Sequence, residues 1–302
     1  MWFIFALLTT FSWGIADLFY KKGADSQDKY SHHKTGIMVG LIMGIHGIFY
    51  MVTNGIDFSL WDMVKYLPVS AFYIISMLIG YFGLRYIELS ISSPVQNSSG
   101  AITAILLLIL FPQDLSILNI LGILIITIGV VGLAVLERRI QTAAQKSSNT
   151  MIHPKYKIGI LAITFPILYA LFDAFGTAAD GIYLDELKLL SEDTALLAYE
   201  FTWLIYALLT LVYLAVIKKH KFNPLREPVR AFAAIFETAG QFFYVFAMSN
   251  NAIIAAPLIA SYSIVSVVLS HIFLKEKLSK QHYILVAIVI LGIAVLGFAE
   301  EL

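Results

Sequence analysis

Four acidic residues, Asp17, Asp173, Glu200 and Glu237, lie inside long apolar stretches of this sequence. No Lys or Arg lies as deep in those stretches. An unpaired carboxylate in an apolar environment is neutralised either by a proton or by a bound cation. The four acids therefore indicate proton coupling, cation binding or a competition between the two.

Glu237 is the deepest of the four acids. It lies near the middle of its apolar stretch, and Gln241 and Tyr244 follow at i+4 and i+7, so the three share one helical face. We predict that these three residues contact a substrate and that Glu237 exchanges a proton. Asp173 is the second candidate for proton coupling. The alternative is a protonated glutamate that only bonds to a neighbouring helix.

The other three acids lie nearer the ends of their stretches. Asp17 is one helical turn from Lys21, so a solvated aspartate at a membrane surface is the alternative to a substrate-binding residue, and the same alternative applies to Asp173. Glu200 lies three residues before Trp203 and could instead extend to the membrane surface. All three acids and Trp203 are candidates for substrate binding.

Aromatic residues accompany the acids. Trp13 and Tyr169 each precede an aspartate by one helical turn, and further candidates are Tyr73, Tyr81 and Tyr262. Carboxylates among aromatic faces suit organic cations, because a desolvated cation–π contact contributes about 1–2 kcal/mol. The alternative is ordinary packing, which accounts for many aromatic side chains in membrane helices.

A polar segment, 92–100, begins another apolar stretch and includes Gln96 and Asn97. Inside a membrane such a segment faces a bundle interior or a watery cavity. The two amide side chains are therefore candidates for hydrogen bonds to a substrate, with hydrogen bonding between helices as the equal alternative. A small-residue ridge, Gly36, Gly40 and Gly44, predicts close helix packing within the bundle or a sliding surface, with a dimer face as the alternative.

The composition requires membrane helices to position these residues. The 302 residues are 59% hydrophobic and 13% charged, whereas soluble domains are about 25% charged. Lys plus Arg and Asp plus Glu are equal at 20 each, so no net charge indicates nucleic-acid binding. The absence of Cys excludes disulfides, thiolate zinc sites and cysteine nucleophiles.

Ten apolar stretches approach the length of about 20 residues that a membrane helix needs. They cover residues 2–20, 35–53, 67–87, 92–111, 117–136, 158–178, 194–217, 228–248, 252–273 and 281–299. The predicted fold is an all-α integral membrane protein with ten transmembrane helices. A basic polar linker, 138–157, divides the chain into a first five-helix half, 1–137, and a second, 158–302.

The two halves are related in sequence. A shift of 163 positions without gaps superimposes identical residues, namely Tyr81 on Tyr244, Pro94 on Pro257, Ser116 on Ser279, Gly129 on Gly292 and Glu137 on Glu300. Because five helices are an odd number, the second copy must enter the membrane in the opposite direction. We therefore predict two inverted repeats with the substrate site between them. Helices 1, 3, 4, 6, 8 and 9 would surround this site, and helices 5 and 10 would lie at the periphery.

Several short motifs resemble those of a known family. They are Ser12-Trp13-Gly14, Ala255-Ala256-Pro257, Glu276-Lys277-Leu278-Ser279 and the final glycine Gly292. Together they are similar to the EamA-like, ten-helix members of the drug/metabolite transporter superfamily over nearly the whole chain. The first half departs from the pattern, because Phe111-Pro112-Gln113-Asp114 has no glutamate in the equivalent turn. The resemblance implies a translocator of small metabolites and does not name the substrate.

No motif of an intramembrane protease, a metalloprotease, a serine hydrolase or an ATPase occurs in the sequence. We therefore expect no enzymatic activity, no catalytic residue, no cofactor and no metal site. The favoured function is secondary transport of an organic cation or ammonium-bearing compound, with or without coupling to protons. The alternative is proton-coupled transport of amino acids or neutral metabolites; an intramembrane enzyme or a membrane scaffold is the remaining possibility. The expected partners are the substrate and the lipid bilayer, but no nucleic acid, with the chain a monomer or homodimer.

The basic residues predict how the chain lies in the membrane. The loops after helices 1, 3, 5, 7 and 9 hold 18 of the 20 Lys and Arg residues. Acidic residues dominate the opposite side, where Asp57, Asp62, Asp180, Asp185, Glu186, Glu192 and Asp193 occur. Since basic loops stay on the cytoplasmic side, we predict a multi-pass protein of the cell membrane with both termini outside.

Overall fold

A computed structural model describes residues 1–147 and 164–300, and within these residues the regular structure is entirely helical. Nine helical segments in the described part are long and apolar enough to cross a membrane. The prediction of a helical membrane protein is therefore confirmed. The count differs from ten because residues 228–274 form a single segment, Pro228–Leu274.

The first half contains six helices. They are α1 (Trp2–Gly23), α2 (Ser31–Asn54), α3 (Leu60–Gly83), α4 (Leu89–Gln96), α5 (Ser99–Leu110) and α6 (Ile117–Ser147). The predicted stretch 92–111 is thus two helices, α4 and α5, which together make one span of 22 residues. Ser59 shows why α3 begins where it does: its hydroxyl accepts hydrogen bonds from the backbone of Trp61 and Asp62, and Asp62 bonds back to the Ser59 backbone as a capping box.

The second half contains five more helices. They are α7 (Thr164–Gly181), α8 (Glu192–Val212), α9 (Pro228–Ala260), α10 (Tyr262–Leu269) and α11 (Lys280–Glu300). Helices α7, α8 and α10 are extended by π-helical turns at Ile182–Glu186, Tyr213–Ile217 and Ser270–Leu274. The predicted linker, 138–157, begins inside α6, and its residues 148–157, like the start of the sixth predicted stretch at 158–163, lie outside the described residues.

Basic residues join the helices at one end of the bundle. Lys21 Nζ, near the end of α1, donates a hydrogen bond to the carbonyl oxygen of Leu84 at 2.8 Å. Arg230, near the start of α9, donates to the carbonyl oxygen of Gly23. Arg85 binds the α1–α2 loop through the carbonyl oxygen of Asp25 at 3.0 Å. We call this end, marked by Lys21, Arg85 and Arg230, the basic end.

The opposite end is the acidic end, which carries Asp185, Glu186 and Asp193. Helices α3 and α7 run antiparallel between the two ends: Gly83 lies against Phe165 at the basic end, and Tyr66 bonds to Asp180 near the acidic end. Asp180 was expected in a loop. It lies instead in the last turn of α7 and is fully buried.

Residues 228–274 make two passes between the ends. A straight helix of 47 residues would be about 70 Å long, more than twice the thickness of a bilayer core. Asn251 interrupts the helix with φ −168° and ψ 68°. The segment begins at the basic end and returns to it, because Glu276, just beyond it, bonds to the backbone at the start of α4. Asn251 therefore marks the turn at the acidic end.

The glycine ridge of α2 packs within the chain. Gly40 lies so close to α8 that an added Cβ would be 2.1 Å from the carbonyl oxygen of Trp203. Gly36 and Gly44 likewise face Tyr206 and Leu204 of the same helix. The absent side chains thus allow the two helix backbones to approach.

Helices α6 and α11 pack against each other at the side of the bundle. Their outer faces expose large apolar side chains, including Leu124, Ile128, Ile290 and Leu291. Apolar exposure on this scale is expected of helices that face lipid hydrocarbon.

Candidate functional site

A cavity lies in the middle of the bundle, and the space that protein atoms leave unfilled in it and in its opening to solvent is about 770 Å³. It is bounded by α1, α3, α4, α5, α7, α8, α9 and α10. Among the described residues, neither α6 nor α11 contributes to its lining. The cavity is therefore shared between the first and second halves of the chain.

Twelve of the fourteen predicted substrate-binding residues line this cavity. They are Trp13, Asp17, Tyr73, Tyr81, Gln96, Asn97, Tyr169, Asp173, Glu237, Gln241, Tyr244 and Tyr262. Residues that the sequence did not single out include Tyr20, Ser99, Thr177 and Tyr199. Glu200 and Trp203 are not part of the lining and lie between α2 and α8.

Glu237 is buried, and its carboxylate faces the aromatic wall of the cavity. The hydroxyl of Tyr20 donates a hydrogen bond to Glu237 Oε2 at 3.1 Å. Trp13 Nε1 donates to the Glu237 backbone carbonyl at 3.3 Å, so the indole fixes the helix rather than the carboxylate. The Tyr20 ring also packs on Tyr81, with 4.6 Å between the ring centroids. Aromatic rings and a hydroxyl thus surround this acid.

Serine hydroxyls donate hydrogen bonds to both Asp17 and Asp173. The serines at Asp17 come from both halves of the chain, and the serine at Asp173 comes from the opposite half. Ser266 of α10 and Ser93 of α4 donate to Asp17 Oδ2 at 2.7 and 2.6 Å. Ser99 of α5 donates to Asp173 Oδ2 at 2.7 Å. Both aspartates therefore tie their own helices to the broken helices at the centre of the bundle.

Two broken helices carry these serines and part of the cavity wall. The first break, between α4 and α5, comes four residues after Pro94, at Ser98. The second, between α9 and α10, comes four residues after Pro257, at Ser261. At both breaks the backbone tightens to an i−3 hydrogen bond, from the Ser98 N–H to the Val95 carbonyl oxygen at 3.3 Å and from the Ser261 N–H to the Leu258 carbonyl oxygen at 3.0 Å. Broken backbone is tolerated at membrane depth when it lines a cavity.

A tyrosine network lies on the side of the cavity towards the acidic end. The hydroxyl of Tyr73 bonds to that of Tyr244 and donates to Thr177 Oγ1 at 3.0 Å. Asp180, two helical turns after Asp173, accepts a hydrogen bond from Tyr66 beyond this network. That spacing of seven residues is the signal that could have identified Asp180 as a buried acid.

Gln241 supplies a free hydrogen-bond donor in the cavity. It is 2% exposed, and its Nε2 atom has no hydrogen-bond partner among the described residues. A buried amide without a partner costs free energy. The unpaired donor is therefore suited to a polar group of a bound ligand.

Glu200, which is fully buried, forms a separate pair with half-buried His46. Its Oε1 atom lies 2.7 Å from His46 Nδ1, and His46 stacks on Tyr50. Tyr50 in turn donates to Asp193 at 2.8 Å. The alternative that Glu200 extends to the membrane surface does not hold, because the side chain is fully buried against α2. Its contacts are those of an interhelical pair.

Comparisons with known proteins agree with this architecture. The family model of the EamA-like transporter family matches residues 1–135 and 164–298. One solved crystal structure shares the fold, with 14% sequence identity, a TM-score of 0.63, and coverage of 95% of this chain and 97% of that one. No curated protein matches the chain. On the family match to both halves, the chain belongs to the EamA-like transporter family and is a multi-pass membrane transporter of small molecules.

Proposed function

We propose that the chain is a secondary transporter whose central cavity binds an organic cation. The observation that carries this proposal is the composition of the lining. Three carboxylates, seven tyrosines and one tryptophan line the cavity, and no Lys, Arg or His of the described residues does. An ammonium group would meet both a counter-charge and aromatic faces there.

Glu237 is the main counter-charge in this proposal. Among the residues that the structure describes, a single tyrosine hydroxyl bonds to its carboxylate, whereas two serines from two helices bond to Asp17. Glu237 and Asp173 would carry the proton coupling. A proton and a cation cannot both occupy one carboxylate, so their competition would link the two flows.

A second candidate is a zwitterionic amino acid, and Gln241 favours it. The unpartnered Nε2 donor of Gln241 could bind a substrate carboxylate while Glu237 binds its ammonium group. Both candidate ligands place an ammonium group at Glu237. Only the zwitterion also has a carboxylate that can accept a hydrogen bond from Gln241. Ligand comparison can therefore separate them.

The proposed architecture is ten transmembrane helices in two inverted repeats. Asn251 supports it by dividing residues 228–274 into two passes. The contact between α6 and α11 supports it as well. An added Cβ on Gly129 would meet Val289, and one on Gly292 would meet Ile126. The shift of 163 positions relates Gly129 to Gly292, and it also relates Ile126 to Val289. Each half therefore contributes a glycine and an aliphatic residue at equivalent positions to this contact.

The first helices of the two proposed repeats pack alike. Trp13 of α1 lies against Gly240 in the second half, and Tyr169 of α7 lies against Gly80 in the first. Each aromatic ring thus fills the space left by a glycine of the opposite half. This exchange is the arrangement that a two-fold axis between the repeats would produce.

The proposed boundaries are 1–137 for the first repeat, 138–157 for the linker and 158–302 for the second repeat. Met1 and Glu300 lie together at the acidic end, where the Met1 amine pairs with the Glu300 carboxylate at 3.0 Å. We place the basic end in the cytoplasm by the positive-inside rule, so both termini lie outside the cell membrane. The chain acts in the bilayer on a small-molecule substrate, as a monomer or homodimer, without nucleic acid.

Ligand-induced thermal stabilisation tests the proposed substrate class. Choline and its neutral isostere 3,3-dimethyl-1-butanol differ in charge but hardly in shape, and glycine adds a carboxylate to an ammonium group. We expect the purified protein to be stabilised by choline at pH 8 and not by the isostere. Equal stabilisation by the two would contradict a cation site. Stabilisation by glycine alone, lost in Gln241→Ala, would favour the zwitterion.

A further inference from the structure

Glu276 joins the two halves of the chain at the basic end. Its Oε1 and Oε2 atoms accept hydrogen bonds from the backbone N–H groups of Leu89 and Ser90, at 3.1 and 2.9 Å. These N–H groups belong to the first turn of α4, which has no helical partner for them. A carboxylate at this position is also stabilised by the helix dipole. Glu276 thus caps a helix of the other half.

Glu276 is anchored in its own half. It follows the π-helical turn at the end of α10, and its carbonyl oxygen lies 2.8 Å from His271 Nδ1. The cap therefore transmits any movement of the second half to α4. Helix α4 carries Gln96 and leads into the break at Ser98, so this movement would reach the cavity lining.

The acidic end has a helix start at the equivalent position, but its cap is different. Ala252, which is 163 positions after Leu89, begins the returning pass after Asn251. Its N–H donates to Asp185 Oδ2 at 2.8 Å. Asp185 belongs to the same half of the chain as Ala252. This cap therefore does not join the two halves of the chain.

The residue equivalent to Glu276 in the first half is Gln113, 163 positions earlier. Gln113 is neutral, and its Nε2 donates to Glu186 at 2.7 Å. The missing glutamate of the first copy, which the sequence already revealed, thus has a structural consequence. A carboxylate cap between the halves occurs at the basic end and has no counterpart at the position of Gln113.

We propose that Glu276 is a positioning residue that holds the basic end of the cavity closed. Its carboxylate clamps α4 to the second half, and release of the clamp permits the halves to part there. The proposal rests on the proposed function, in which the cavity opens alternately to the two ends. At the acidic end neutral donors join the halves instead, as in the bond of Gln113 to Glu186, so loss of the Glu276 charge affects the basic end.

Cysteine accessibility can test the clamp, because the chain contains no Cys. Leu84→Cys reports on the basic end, where the Leu84 backbone binds Lys21. Thr177→Cys reports on the side of the cavity nearer the acidic end. Both residues line the cavity and are buried. The rate at which a small maleimide labels each single cysteine in the purified protein then measures how often that end opens.

Glu276→Gln keeps the shape of the side chain and removes its charge. We expect Leu84→Cys to be labelled about tenfold faster in this background, which corresponds to a loss of about 1.4 kcal/mol from a charge-assisted bond. Thr177→Cys should not be labelled faster. The matched control is Asp114→Asn, the same change at an exposed acid beside Gln113, which should alter neither rate.

An unchanged rate at Leu84→Cys in folded Glu276→Gln would overturn the clamp. Faster labelling at both positions would also overturn it, because a general loss of structure affects both ends. If Glu276→Gln does not fold, Glu276→Asp, which keeps the charge but retracts it by one methylene, is judged by the same criterion. Failure of choline to bind would contradict the proposed substrate class but would leave the labelling result standing.

Discussion

The hydroxyl of Tyr20 lies 3.1 Å from Glu237 Oε2 and joins α1 to α9 across the centre of the bundle. The phenol hydroxyl of Tyr20 is a neutral hydrogen-bond donor, so it can bond to the carboxylate whether or not a cation is present. The carboxylate therefore keeps its orientation while its charge is available to a ligand. This relationship makes Glu237 the residue at which the proposed function is tested most directly.

We expect Glu237→Gln to weaken binding of choline or of the best related ammonium ligand by about 10- to 100-fold, since a hydrogen bond to a charged group contributes about 1.5–3 kcal/mol. Isothermal titration at pH 8 measures this change. Tyr20→Phe is the control: it removes the hydroxyl but not the charge, and its effect should be smaller. An unchanged affinity in Glu237→Gln would assign Glu237 a structural role and direct attention to Asp173.

The affinity for an ammonium ligand should fall between pH 8 and pH 5.5. The reason is competition, because a proton on Glu237 removes the charge that attracts the cation. The same titrations in Glu237→Gln should show a weaker dependence on pH. A full pH dependence in that variant would place the competing proton elsewhere, and Asp173→Asn would then be the next variant to measure.

The positions of the membrane spans and of the acids inside them were predictable because both depend on local sequence. Apolar stretches of about 20 residues identify membrane spans, and Glu237 is visible as a charge inside one of them. The helix break in the fourth predicted stretch, 92–111, was harder to predict. Pro94 and the polar residues after it indicated a special segment, but proline is also tolerated inside membrane helices. The sequence therefore did not predict that the helix ends before Ser98 and begins again after it.

Pairing between distant residues could not be read from the sequence. Glu200 and His46 are 154 positions apart, and nothing in either stretch indicates that α2 and α8 are neighbours. Asp180 was misplaced because a charged residue at the end of an apolar stretch usually marks a loop. Tyr66, 114 positions away, supplies the hydrogen bond that permits its burial.

The contact between Gly40 and Trp203 should be intolerant of any side chain. We expect Gly40→Ala to lower the midpoint of thermal unfolding by several degrees, because the new Cβ would be 2.1 Å from a carbonyl oxygen that cannot move independently of its helix. Gly176→Ala is the matched control, since its Cβ would lie 3.2 Å from the nearest atom, in the Phe72 side chain. Similar midpoints for the two variants would contradict close backbone packing of α2 on α8.

The pair of His46 and Glu200 should contribute to stability and not to ligand binding. Glu200→Ala removes a fully buried side chain and leaves half-buried His46 without its partner, so the variant should unfold at a lower temperature than the wild type. Choline affinity, measured below the unfolding temperature, should remain unchanged. Asp57→Asn, an exposed acid, serves as the control. A large loss of affinity in Glu200→Ala would return Glu200 to the substrate site.

Glu88, next to the clamp, should make opening of the basic end depend on pH. Partial burial and the adjacent Glu276 carboxylate raise the pKa of Glu88 above its ordinary 4.5, while Lys21 opposes them. The side chain remains exposed at the surface, so the effect should be modest. When the end opens and Glu276 moves away, the pKa of Glu88 falls back towards 4.5. Since ionised Glu88 repels Glu276, the closed end is favoured at low pH and loses that advantage as pH rises past 4.5.

Maleimide labelling after brief equilibration at each pH, corrected for the reactivity of a free thiol, measures this dependence. We expect labelling of Leu84→Cys to increase modestly from pH 4.5 to pH 7, and the increase to disappear in Glu88→Gln. Thr177→Cys should not show this increase, because Glu88 lies at the other end of the cavity. Persistence of the increase in Glu88→Gln would assign it to another group. Because loss of the Glu276 charge opens the same end, the contribution of Glu88 is the difference between the labelling profiles with and without Glu88→Gln. A difference that decreases with rising pH would contradict repulsion between Glu88 and Glu276, because the sign follows from the raised pKa of Glu88.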